Sequence, residues 1–138
     1  MEVVMSTPAS IALLILRIAL GIIFIAHGSQ KSFGAFGGPG IKGFSGMVQG
    51  LGLNPPVLWA WAAALSEFFG GLLLLAGVLP RIGAFLIACV MVVAIARVHW
   101  AKGFFIMQGG FEYPFLILMV CIALMITGAG EYSFFDRF

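Results

Sequence analysis

"LLLLAGVLPRIGAFLIACV", residues 72–90, decides the fold. Two apolar runs meet there at a short Leu-Pro-Arg-Ile-Gly link, residues 79–83. Proline cannot continue a helix but opens one well, because its missing N–H lies among the donors a first turn leaves unused. A link this short permits only a tight turn, so the two helices are antiparallel neighbours.

Working outward, each run is long enough to ask whether it crosses a bilayer, which takes roughly 20 mostly apolar residues. Four segments qualify: 9–28, opened by Thr7-Pro8; 57–79, after Asn54-Pro55-Pro56; 82–100; and 113–130, with Pro114 in its first turn and Gly128 and Gly130 at its end. Four spans put both termini on one side and loops 29–56 and 101–112 on the other. The expected fold is all-α, a transmembrane antiparallel four-helix bundle with a long Gly-rich first loop, residues 1–138 forming a single domain.

Composition agrees. The chain is 62% hydrophobic and 9% charged, against about 25% charged residues in soluble domains. Its expected solvent is a lipid bilayer, and the plasma (inner) membrane is the expected location. The net charge of +2 with no basic cluster excludes nucleic acid as a partner. Cys89 and Cys121 lie in apolar runs, not in a C-x-x-C pair, and imply no disulfide framework. "MEVVMSTPAS" lacks a basic n-region, Arg17 interrupts the apolar run and no A-x-A site follows, so the first run reads as a retained helix. Lys31, Lys42, Arg97 and Lys102 lie towards the loops, Arg81 and Arg137 towards the termini. That difference is too small to orient the chain.

In the first loop, Ile41, Phe44, Val48 and Leu51 recur at helical spacing. The pattern predicts a short amphipathic helix on the membrane surface, weakened by glycines at 43, 46, 50 and 52.

Charges inside a span cost roughly 2.5–3.5 kcal/mol each and usually face a partner. Arg17 and Glu67 are two such residues. With the helix ends placed as above, both lie roughly 15–16 Å from the loop-side edge. An Arg17–Glu67 ion pair is the expectation, either fixing helix register or handling protons or ligand. Ala63, Ser66, Gly70 and Gly71 around Glu67 leave room for a helix to approach closely.

A second polar group gathers at the loop side: His27, Gln30 and Lys31 from span one, Arg97 and His99 from span three, Glu112 and Tyr113 from span four. Axial haem ligation by two histidines is one chemistry, but both lie at helix ends, where a haem would hang outside the bundle. Zinc or copper on His27, His99 and Glu112 has suitable ligand types without tight spacing on one helix. No metal or haem site is therefore expected. A quinone head group needs interfacial donors and an apolar slot, which these residues and Phe33, Phe36, Phe104 and Phe105 provide. The bland alternative is that they cap helices and snorkel to headgroups. "GPGIKG", residues 38–43, fits G-x-G-x-x-G but follows no strand and is not a phosphate loop.

"LRIALGIIFIAHGSQKSFGAFGGPGIKGF", "SEFFGGLLLLAGVLPRIGAFLIACVMVVAIARVHWAKGFF" and "GGFEYPFLIL" together resemble the DoxX family of small four-helix membrane proteins, over residues 11–133. The family-like positions are Arg17, His27, Gly28, Gln30, Lys31, Glu67, Arg81, His99, Glu112 and Tyr113. The resemblance implies a hydrophobic subunit of a quinone-linked oxidoreductase or oxidative-stress system, similar to the membrane subunit of a thiosulfate:quinone oxidoreductase. It implies a redox enzyme subunit as partner and assigns no catalytic residue. Two other classes stay open: a small transporter or channel using Arg17 and Glu67, and a structural or assembly protein without a small-molecule site. Self-association is open as well.

Overall fold

The computed structural model describes residues 6–136, so Arg137 of the terminal-side charges lies outside the described residues. Among the described residues there are five α-helices: α1 (Thr7–Phe33), α2 (Gly40–Gly50), α3 (Pro56–Ala76), α4 (Pro80–Ala94) and α5 (Glu112–Thr127). α4 runs on through a π turn at Ile95–His99 and a 3-10 turn at Trp100–Lys102. Among the described residues three helical stretches are long and apolar enough to cross a membrane: Thr7–Phe33, Pro56–Ala76 and Pro80–Lys102. The expected fourth span, 113–130, takes the form of the 16-residue α5. At 1.5 Å per residue it reaches about 24 Å.

α1 does not stop at its polar end. The Ser6 hydroxyl accepts the Ala9 N–H at its start, and Gly34, at φ 73°, closes it only after Phe33. The "HGSQKS" segment stays helical because Gly28 packs directly on α3. A Cβ at Gly28 would lie 2.6 Å from the Phe68 nitrogen. Farther along the same contact, a Cβ on Gly21 would lie 2.8 Å from the Leu75 Cβ, and one on Gly71 would lie 2.8 Å from the Ile25 nitrogen. Glycine in a helix interior costs about 1 kcal/mol. Here it lets two backbones approach as closely as small-residue faces allow. On the opposite side of α3, Gly70 meets Gly83 and Ile87 of α4 in the same way.

The helices pack in the order α1–α3–α4–α5, and α2 lies on α1 and α3. One apolar cluster draws on all four long helices, with Leu20, Phe24, Leu74, Ile87, Cys121 and Leu124 at its centre. The amphipathic helix expected in the first loop is present as α2, but its apolar face does not point outward to lipid. Phe44 and Val48 are buried against Ala60 and Ala64 of α3. Such an apolar stripe finds protein before it finds the surface.

The segment after α5 folds back across the α3–α4 turn. Leu79 N–H donates to the Phe135 carbonyl at 2.7 Å, and Phe134 and Phe135 both donate to Gly77 O. Arg81 reaches Met125 O and Asp136, whose other oxygen accepts the Ala129 N–H.

Because a side chain at Gly28 would meet Phe68 backbone, Gly28→Leu should lower detergent-phase unfolding free energy by about 3 kcal/mol. A Cβ at Gly46 of α2 meets nothing within 4 Å, so Gly46→Ala should raise it by about 0.5–1 kcal/mol. Thermal unfolding of the two variants checks both signs.

Candidate functional site

Glu67 sits in the middle of α3 and is 1% exposed. Its partner is not Arg17. Gly28 faces Phe68 and Gly21 faces Leu75, so the level of Glu67 on α1 lies one turn or less from Lys31. Arg17 is about twelve residues away, roughly 18 Å along the axis. The expected pair assumed that α1 ended near residue 28; its continuation to Phe33 moves Arg17 away and brings Lys31 in. The Lys31 ammonium lies 2.6 Å from Glu67 Oε1.

Arg17 is buried at the other end of the molecule and held by carbonyls. Its Nε donates to Leu74 O at 3.0 Å, and its Nη1 donates to Ala129 O at 3.3 Å and Tyr132 O at 2.6 Å. It thereby pins the C-terminal segment to α1 and α3. A guanidinium suits this work because its five donors fan out in a fixed plane.

Around the Lys31–Glu67 pair the sequence builds a pocket. α2 packs against it, and the centre of the Phe44 ring lies 4.7 Å from the Lys31 ammonium, which sits over the ring face. This is the geometry of a cation–π contact. Between α2, α3 and α4 a cavity of about 430 Å³ opens, walled by Lys31, Phe44, Trp59, Ser66, Cys89 and Arg97 among mainly apolar neighbours. Exposed Cys89 and Val92 lie on its wall, so it opens on the outside of the helix packing. That volume falls in the range of about 300–1,000 Å³ typical of small-ligand sites. Arg97, at the far wall, donates to Leu51 O at 3.2 Å.

The remaining loop-side candidates do other things. His99 Nδ1 lies 2.7 Å from Gly109 O, and Glu112 Oε2 accepts the Ile106 N–H at 2.9 Å. Between them they close the 103–110 loop, and just past it the Phe111 and Glu112 N–H groups donate to Gly103 O and Phe104 O. The π turn swings His99 towards that loop. Gln30 Nε2 reaches Phe36 O at 3.5 Å. His27 is exposed beside Phe24, and Tyr113 is 39% exposed. Of the seven patch candidates, Lys31 and Arg97 line the cavity; His99, Glu112, Gln30, His27 and Tyr113 do not. Among the described residues no three His, Cys, Asp or Glu side chains gather as a metal centre would need. Cys89 and Cys121 are free thiols, the first exposed and the second buried.

The DoxX family model matches residues 12–100. The chain belongs to the DoxX family. A Bacillus subtilis (strain 168) protein named "Putative oxidoreductase CatD" is 32% identical over 126 residues, which cover 91% of this DoxX chain and 85% of that relative. No solved structure is significantly similar to it. Family membership and three apolar helices of spanning length make this DoxX protein an integral membrane protein.

If His99 and Glu112 serve the loop, His99→Ala and Glu112→Ala should each loosen it by about 1–2 kcal/mol. Faster proteolysis within residues 103–110 would report this. His27→Ala, which removes no hydrogen bond among the described residues, should leave the cleavage rate unchanged.

Proposed function

We propose that this DoxX-family protein is a plasma-membrane subunit of a quinone-linked redox or oxidative-stress system, and that the cavity beneath α2 receives the quinone head group. In this reading α1, α3, α4 and α5 form a four-helix membrane bundle, and a redox enzyme subunit docks on it. The name of the Bacillus relative supports the redox assignment.

The observation that carries the ligand assignment is the cavity itself. A quinone head group is flat, apolar on its faces and a hydrogen-bond acceptor at its edges. Phe44 and Trp59 offer apolar ring surface, while Lys31 and Arg97 offer charged donors at two points of the wall. The opening beside Cys89 and Val92 gives an isoprenoid tail a way out to the lipid. These residues bind, orient and exclude water; the ligand supplies the redox chemistry.

Arg17 and Glu67, the residues that a transporter reading would use, are each held by other groups, Arg17 by backbone carbonyls and Glu67 by Lys31, and for that reason the quinone reading is preferred to it.

Cys89 reports on occupancy directly, since Cys121 is fully buried. Decylubiquinone has a fully substituted ring and cannot add a thiol. It should slow alkylation of Cys89 by N-ethylmaleimide in a saturable way, and Lys31→Met should weaken that protection roughly tenfold, the worth of one charged hydrogen bond. Unchanged alkylation at saturating ligand would remove the quinone reading.

A further inference from the structure

The loop that opens α5 turns its large apolar side chains outward. Met107 is 97% exposed and Phe105 63%, with Phe104 and Ile106 about half exposed beside them. Apolar side chains gathered on one exposed tip mark a surface that meets lipid or another protein. Depth and backbone bonding both favour lipid here.

Arg81 Nε donates to Met125 O, which holds the start of α4 level with the end of α5, and α3 ends at the turn just before α4. From that common level α3 runs 21 residues and α5 only 16, so α5 stops about 8 Å short of α3 on the loop side. A hydrocarbon core is about 30 Å thick, more than the about 24 Å of α5. The 103–110 loop therefore meets α5 near the headgroup–acyl boundary, not out in water.

At that depth water is scarce, and backbone N–H and C=O groups need partners within the protein. The loop supplies them. Gln108 and Gly110 N–H donate to Phe105 O, Gly109 N–H donates to Ile106 O, and Phe111 and Glu112 N–H return to Gly103 O and Phe104 O. The Glu112 carboxylate accepts the Ile106 N–H, and His99 Nδ1 meets Gly109 O. The rim has interfacial chemistry too. Trp100 stacks on Phe111 with ring centres 5.3 Å apart, like the aromatic residues of a headgroup belt. The Lys102 stem lies along Gly109, which suits a side chain that snorkels its ammonium to lipid phosphates.

We propose that residues 104–107 are a lipid anchor. Their side chains insert at the headgroup–acyl boundary of the loop-side leaflet, while His99 and Glu112 keep the loop backbone closed there. Phe115, Leu116 and Met119 carry exposed apolar surface onward along α5. Arg97 and His99 share the π turn at the end of α4, so the anchor also holds the far wall of the cavity at a fixed depth. This role is independent of the ligand that the cavity takes.

The test puts a fluorophore on the tip. Met107→Cys is made in a Cys89→Ala background, since Cys121 is buried, labelled with nitrobenzoxadiazole and reconstituted in phosphatidylcholine nanodiscs, which leave both faces open to quencher. Leu116→Cys, on the exposed surface of α5, serves as the lipid standard, and labelled free cysteine in buffer as the water standard. Emission from position 107 should be blue-shifted towards the lipid standard, quenched by phosphatidylcholine with a doxyl group high on its acyl chain, and barely quenched by iodide. Iodide quenching equal to the water standard, without quenching by the doxyl lipid, puts the tip in water, leaves it to a protein partner and overturns the proposal. Shielding from both quenchers means that protein covers the tip, and overturns it equally. Glu112→Ala, added to Met107→Cys, should move the emission towards the water standard; an unmoved emission overturns the part given to Glu112.

Discussion

The contact between the Lys31 ammonium and the Glu67 carboxylate, 2.6 Å long with Glu67 buried and Lys31 a quarter exposed, constrains the loop-side half of the molecule. A carboxylate in an apolar helix packing costs several kcal/mol unless a cation meets it. That cation arrives only if α1 stays helical through Phe33, and only if α1 and α3 come close enough for a lysine to reach across. Gly21, Gly28 and Gly71 provide the approach. α2 then folds over the pair, with the Phe44 ring face against the ammonium and Val48 against α3. The cavity is the space left between this roof and α4.

The two ends of the molecule solve the buried-charge problem differently. At the loop side a lysine meets a carboxylate and stays half open to a cavity. At the terminal side Arg17 meets three carbonyls, and Arg81 meets a carbonyl and Asp136. Carbonyl partners suit a structural cation, because they hold the C-terminal segment and present no group able to take up a proton. The lysine end is the more open one: the Lys31 side chain is a quarter exposed and lines the cavity.

Much of this was legible in the sequence. The tight turn between two apolar helices, the long apolar runs and the periodicity of Ile41, Phe44 and Val48 are all composition and spacing, and each has its counterpart, although the turn lies at residues 77–79 and residues 80–83 already belong to α4. The ion-pair partner was misjudged because "HGSQK" looks like a helix leaving the membrane, whereas glycine at 28 is there for contact with Phe68. A signal was present: Arg17, Gly21, Phe24, Gly28 and Lys31 recur at spacings of three and four and share one helix face. That face puts Lys31 towards α3. The roles of His99 and Glu112 were not legible, since they depend on the π turn and on the path of the 103–110 loop, which no local pattern announces. Nor could the cavity be read, because it exists only between three packed helices.

The account stands on which cation Glu67 meets, and a double-mutant cycle in detergent unfolding measures this most directly. Lys31→Met and Glu67→Gln, alone and together, should give a coupling energy of about 1–3 kcal/mol. The same cycle for Arg17→Met and Glu67→Gln should give less than about 0.5 kcal/mol, as for sites without a shared partner. Strong coupling between Arg17 and Glu67, with none between Lys31 and Glu67, would contradict the register of α1 on α3 and everything built upon it.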